Sequence, residues 1–212
     1  MVGDAVHKVK VRKGQVLFLE GQPSLNLYSL SSGMVKICHH GPGGGEQIVG
    51  LSHPGNLLVG LQSMNDEHYA YSAAAATPVR ACRINHHALL NMARERGDVA
   101  MSLIHALNAQ LAHSRALMEV MGHKSAAAKI ASLILLMVPK SQHDNTEFSL
   151  PFSRREIADL LNLSEETVCR LMAEMKRSGI IKAPRRQVAI LDWDRLRAMA
   201  DGVPPPKDLA NA

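Results

Sequence analysis

Apolar positions in the first part of the chain fall in short runs: VLFLEG (16–21), LYSL (27–30), MVKICHH (34–40), EQIVGL (46–51) and the stretches 69–76 and 79–84 around Thr77-Pro78. Glycine and proline clusters separate them, above all HGPGGG (40–45), a hairpin signal. Short strands with glycine turns over residues 7–84 predict a sandwich, jelly roll or barrel. After Asn85 the period becomes helical. HHALLNMARE (86–95) predicts one helix, and a longer one starts near Gly97-Asp98, with Asp98 placed to cap it, and ends at Gly122.

Within that longer helix Ala100, Ile104, Leu107, Leu111, Ser114, Met118 and Met121 recur at alternating steps of four and three, a heptad seam. The same pattern fits an amphipathic helix packed on its own β-domain, because Leu103, Leu117 and Val120 widen the stripe. The reading carried forward is a seam between two copies. A further helix is expected over 124–138, stopped by Pro139, and then a polar turn and a short strand up to Phe152.

Residues 153–179 read as two short helices around a tight turn. Ser153 and Glu156 form an S-x-x-E capping box. Ile157, Leu160 and Leu161 give the first helix an apolar face, and small Ala158 allows a close crossing. Asn162 stands where the turn needs a left-handed residue, Ser164 caps the second helix, and Gly179 ends it. Val168, Leu171, Met172 and Met175 face inward, which leaves Glu165, Glu166, Cys169 and Arg170 outward. A helix-turn-helix presents its second helix to a DNA major groove in this way. Glu166 can accept from a cytosine amino group and Arg170 can donate to guanine or phosphate. The plainer reading is an i,i+4 surface ion pair, worth only about 0.3–0.5 kcal/mol. IIKAPRRQVAILD (180–192) then reads as strand, turn, strand, with Arg185 and Arg186 at its tip positioned for phosphates, and Asp192 capping a last helix.

Composition alters this picture little. The 212 residues include 46% hydrophobic positions, enough for one or two real cores. A net charge of +5 favours an acidic partner without identifying it. Three scattered cysteines without a CxxC pair point to a reducing compartment. No secretory signal is legible at the N-terminus, and the longest apolar run, 130–138, is too short to span a bilayer. A cytoplasmic protein with no membrane partner is the expectation. No nucleophile–base–acid set and no phosphate loop speaks for an enzyme.

The stretches RKGQVLFLEGQP (12–23), LYSLSSGMVKI (27–37), SRREIADLLNLSEETVCRLMAEMKRSGII (153–181) and ILDWDRLRAMA (190–200), in this order, resemble the Crp/Fnr family of bacterial transcription regulators. The resemblance implies a β-roll sensor, a long dimerisation helix and a winged helix-turn-helix that contacts RNA polymerase. By position, Glu166 and Arg170 match the family's base-reading pair, while Arg154, Ser164 and Thr167 match phosphate contacts. Glu165 lies where the cyclic AMP receptor branch has a further base-reading arginine, so the fumarate–nitrate branch with its E-x-x-S-R pattern is the closer likeness. Here the pattern is E-x-x-C-R, with Cys169 for serine, which leaves specificity at that base pair open. Oxidation or alkylation of that thiol would block groove contact; the plainer reading is a small residue that fits against DNA.

The sensor departs from the family. A cyclic-nucleotide pocket of this type has a glutamate and an Arg-Ser or Arg-Thr pair, whereas residues 55–76 offer no glutamate beside Val59-Gly60-Leu61 and have Tyr71-Ser72 at the arginine position. A buried cyclic phosphate would lack its counter-charge, so cyclic AMP is not the expected effector. No cysteine precedes Cys38, so the N-terminal cluster that an iron–sulfur sensor would use is missing. The effector stays unknown and no cofactor is assigned. Haem is the alternative, since an axial histidine is a haem ligand and the chain has eleven histidines, among them His105 and His113 on the long helix.

The expected fold class is α+β. It comprises a double-stranded β-helix or jelly roll of cyclic-nucleotide-binding type (1–96), a dimerisation helix (97–123), a winged helix-turn-helix (124–201) and a disordered tail (202–212). The expected function is that of a homodimeric regulator of palindromic sites on double-stranded DNA, paired through Ile104, Leu107, Leu111, Ser114, Met118 and Met121. The competing function is a haem- or small-ligand-binding sensor whose helical domain makes protein contacts.

Overall fold

Seven short strands build the N-terminal part of the molecule in the computed structural model, which describes residues 6–41, 46–54, 59–63, 66–138, 147–184 and 187–202. They are β1 (Val6–Val11), β2 (Val16–Phe18), β3 (Asn26–Ser32), β4 (Val35–His40), β5 (Glu46–Ser52), β6 (Ser72–Ala75) and β7 (Val79–Asn85). One sheet has the order β1-β7-β3 and the other β2-β6-β4-β5, all antiparallel. The β4–β5 pair begins at His40↔Glu46, as the glycine-rich stretch predicts; residues 42–45 of that turn lie outside the described residues. Strand β1, VHKVKV, is not singled out by the apolar pattern, because lysines and a histidine interrupt it. It is recruited by β7 over the full register Val6↔Ile84 to Val11↔Val79.

The core of this part is aromatic at its centre. The rings of Phe18 and Tyr69 stack at 3.8 Å between centroids, and Tyr28 lies 6.0 Å from Phe18. Leu30, Val35, Ile37, Val59, Ala73 and Val79 complete the cluster. The Tyr69 hydroxyl donates to the Asn26 carbonyl at 2.6 Å and accepts the Asn26 N–H at 3.1 Å, so its buried polar end is satisfied. Burial pushes the Tyr69 and Tyr28 phenols above the usual tyrosine value.

Helix α1 (His86–Glu95) starts where Asn85 accepts the Ala88 N–H at 3.0 Å. Helix α2 (Gly97–Gly122) ends at the predicted glycine, but Asp98 lies in its first turn instead of capping it. The Asp98 carboxylate instead accepts from the Arg96 guanidinium at 2.7 and 3.2 Å, a pair that holds its carboxyl below the usual range. Two faces of α2 are apolar. Val99, Leu103 and Ala106 pack with Leu27, Leu61 and Leu89, and Leu117 and Val120 are buried. Ile104, Leu107, Leu111, Met118 and Met121 on the other face are 41–65% exposed, with Ser114 and Ala100 half-buried. The two readings of the heptad pattern therefore occupy different sides of one helix.

The chain divides into two compact units, Met1–Ser114 and Arg115–Ala212, and α2 contributes to both. In the second unit α3 (Ala126–Met137) begins two residues later than expected, because Ser125 stays extended and accepts the Ala128 N–H at 3.0 Å. Pro139 and the rest of the predicted polar turn lie outside the described residues, up to residue 146. Helices α4 (Arg154–Leu161) and α5 (Glu165–Arg177) follow the short strand β8 (Phe148–Ser149). Strands β9 (Ile181–Lys182) and β10 (Gln187–Ile190) join β8 in a sheet of order β8-β10-β9, and α6 (Trp193–Ala200) is capped by Asp192 as expected. Ile130, Leu133 and Ile134 of α3 are buried with Leu160, Leu161, Met172, Met175, Ile180, Ile181 and Leu196. Among the described residues no helix is long and apolar enough to cross a membrane. The expected tail, from residue 203 onward, lies outside the described residues.

Candidate nucleic-acid interface

Local hydrogen bonds fix the helix pair. The Ser153 hydroxyl accepts the Glu156 N–H at 3.1 Å, and the Glu156 carboxylate accepts the Ser153 N–H at 2.8 Å, a closed capping box. Ser153→Ala should lower the stability of this unit by about 1 kcal/mol, read as a shifted denaturation midpoint. Asn162 ends α4 at φ 51° and ψ 56°, and it is the one non-glycine residue with positive φ among those described. Leu163 N–H then donates to the Ala158 carbonyl at 2.9 Å, and Lys129 Nζ donates to the Leu161 carbonyl at 3.1 Å. These bonds satisfy carbonyls that a helix end leaves without partners, so the turn is held from both sides.

Ser164 starts α5. Its hydroxyl accepts the Thr167 N–H at 3.1 Å and lies 2.8 Å from the Thr167 hydroxyl. One hydroxyl proton is used between the two, and the other is left for an external acceptor such as a phosphate. The sequence prediction of the two faces of α5 matches: Val168, Leu171, Met172 and Met175 are buried, while Glu165, Glu166, Cys169 and Arg170 are exposed. Arg154, at the start of α4, is half-buried. Burial pushes its guanidinium below the usual arginine value, and the nearby Cys169 sulfur opposes the shift.

The expected alternative pairing of Glu166 with Arg170 does not form. Arg170 Nη1 instead lies 4.0 Å from Glu174 Oε2, one turn further on. Glu174 was not among the sequence-predicted residues, although its i+4 spacing from Arg170 was visible. Strands β9 and β10 form the wing, closed by the Gln187 N–H donating to the Pro184 carbonyl at 3.0 Å; Arg185 and Arg186 at its tip lie outside the described residues.

In the N-terminal unit Ser72 is buried, and its hydroxyl accepts the Glu20 N–H at 2.9 Å and sits 3.3 Å from His40 Nδ1. Glu20 also receives the His40 N–H at 3.1 Å and faces His39 Nδ1 at 3.1 Å; the His40 N–H is the main cause that holds its carboxyl below the usual range. Alanines 73, 75 and 76 are buried behind Ser72, and Tyr71 is half-buried. Residues 55–76 contain no lysine or arginine. His105 is exposed, and His113 lies edge-on to His53 with ring centroids 5.3 Å apart. Cys38 donates to Glu46 at 3.1 Å, Cys82 is half-buried on β7, and Cys169 stands apart on α5.

Comparison with known proteins agrees with this architecture. Residues 8–96 match the cyclic nucleotide-binding domain family and residues 128–199 the Crp-like helix-turn-helix domain family. The chain is 30% identical over 188 residues to the nitrogen fixation regulation protein FixK of Azorhizobium caulinodans, covering 86% of this chain and 75% of that one. It is 29% identical over 195 residues to the transcriptional activator protein anr of Pseudomonas aeruginosa, covering 91% of this chain and 80% of that one. The solved structure of FixK2 from Bradyrhizobium japonicum superposes with a TM-score of 0.80 at 26% identity, over 92% of this chain and 96% of that one. With both domains matched in this order and a relative 30% identical over most of its length, this chain belongs to the Crp/Fnr family of DNA-binding transcription regulators.

Proposed function

We propose that two copies of this chain pair through the exposed row of α2 and set their α5 helices into successive major-groove half-sites of a palindromic promoter. The half-sites then lie about one helical turn, roughly 34–36 Å, apart. The observation that carries this reading is the conjunction of two surfaces. A capped helix leaves Glu166 and Arg170 outward, and a 26-residue helix keeps Ile104, Leu107, Leu111, Met118 and Met121 in solvent along one row. Glu166 and Arg170 read bases, with Glu165 and Cys169 beside them. Arg154, Ser164, Thr167, Arg185 and Arg186 hold the phosphate backbone. Ile104, Leu107, Leu111, Ser114, Met118 and Met121 form the seam.

Residues 1–96 are the sensor, 97–123 the pairing helix and 124–201 the reading domain. Bound regulator contacts RNA polymerase and activates transcription, a role supported by the name of the Pseudomonas aeruginosa relative. The signal acts at the β-roll and the pairing helix. It is not cyclic AMP, because Tyr71 and Ser72 bring no counter-charge for a phosphate. The protein works by binding in the cytoplasm and not as an enzyme.

The test is a set of duplexes that carry every single substitution of a selected palindrome. Glu166→Ala should relax preference at one base pair by roughly 1–3 kcal/mol. Arg186→Ala should weaken binding to all duplexes and lower the salt slope by about one. Unchanged preference in Glu166→Ala would reject the assignment of α5 as the reading helix.

A further inference from the structure

Arg170 has a carboxylate one turn away on either side, Glu166 before it and Glu174 after it. In an isolated helix the arrangement with the acid N-terminal to the base is the better one, so Glu166 is the intrinsic partner. The folded protein has the reverse. Arg170 Nη1 faces Glu174 Oε2 at 4.0 Å, while Glu166 makes no hydrogen bond or ion pair among the described residues. Two features favour this choice. Glu174 is only 24% exposed against 63% for Arg170, so its side chain is the less free of the two to swing away. Glu166 lies in the first turn of α5, where the positive end of the helix dipole holds a carboxylate on its own.

The consequence concerns readout. A guanidinium paired to Glu166 would neutralise the acceptor meant for a cytosine amino group and occupy its own donors. Drawn toward Glu174 through one terminal nitrogen, Arg170 keeps its Nε–Nη2 edge for the O6 and N7 of a guanine, and Glu166 keeps both oxygens. Glu174 also adds a negative charge to α5, which disfavours binding to a polyanion that lacks the base contacts.

We propose that Glu174 is a positioning residue for sequence discrimination, holding Arg170 apart from Glu166 so that the two read separate bases. This rests on α5 being the reading helix. The experiment is a thermodynamic cycle by fluorescence anisotropy on the full-length protein, with Glu174→Gln, Arg170→Ala and the double variant. Each is titrated with the selected palindrome, with duplexes altered at the base pairs that depend on Glu166 and Arg170, and with a random duplex. Expected for Glu174→Gln is a loss of about threefold to tenfold in discrimination at both base pairs, with affinity for the random duplex equal or higher. In the Arg170→Ala background the same substitution should change discrimination by less than about twofold.

A fall in affinity of equal size for all duplexes would mark a merely structural role and overturn the inference. So would a full effect of Glu174→Gln in the Arg170→Ala background. Discrimination lost in Arg170→Ala but intact in Glu174→Gln overturns this inference alone. Discrimination intact in Arg170→Ala overturns the reading-helix assignment, and the inference with it.

Discussion

Leu107→Glu combined with Leu111→Glu should leave the protein monomeric and lower its affinity for a palindromic duplex by at least about a hundredfold. Both leucines are about half exposed in the single chain, so the change removes nothing from its own core. In a paired seam each copy would bury both, at about 1.5–3 kcal/mol per side chain, and the variant sets four carboxylates against one another there. The second half-site is then no longer engaged together with the first. Glutamate is a good helix former, so circular dichroism should show α2 intact. Leu103→Glu makes the contrast, since Leu103 packs against Leu27, Leu61 and Leu89 and its loss should destabilise the N-terminal unit itself. Light scattering and anisotropy check both parts. A Leu107→Glu/Leu111→Glu protein that still sediments as a dimer would show that these residues are not the seam.

Gly33→Ala should cost the N-terminal unit about 3 kcal/mol or more. Gly33 turns the chain between β3 and β4 at φ +90°, which L side chains rarely adopt. A Cβ built there meets the Pro78 carbonyl oxygen at 2.3 Å and the Val79 Cα at 2.9 Å. Both are backbone atoms at the start of β7, the strand that holds β1 and β3 together, so neither can move without disturbing the sheet. Gly14 has a similar φ of +81° but nothing within 4 Å of its Cβ position. Gly14→Ala should therefore show only the conformational cost, about 1–2 kcal/mol. Thermal melts of the two variants separate the steric part from the conformational part; equal losses would show that the Pro78 contact does not matter.

The C-terminal helix pair was legible almost residue by residue, because its determinants are local. Ser153 and Glu156, Asn162, Ser164 and Gly179 each act on backbone groups within a few positions of themselves, and the structure places all of them as expected. The buried face of α5 was legible for the same reason, since helical period alone sorts Val168, Leu171, Met172 and Met175 from Glu165, Glu166, Cys169 and Arg170. Even local signals fail where two compete. Asp98 looked like a cap, but a charged neighbour, Arg96, captured its carboxylate.

What only the tertiary structure decided involves groups that are distant in sequence or equally spaced. Strand β1 exists because β7, more than sixty residues away, completes its hydrogen bonds, and its own lysine-interrupted pattern carries no such information. The stack of Phe18 on Tyr69 likewise joins residues about fifty positions apart, Phe18 on β2 and Tyr69 in the segment before β6. On α2 the heptad pattern contained both an inward stripe and an outward one, and periodicity cannot assign either until one side has something to pack against. On α5 the sequence offered Arg170 two carboxylates at the same separation. Spacing left them equal, and in the folded chain Arg170 faces the less exposed one, Glu174.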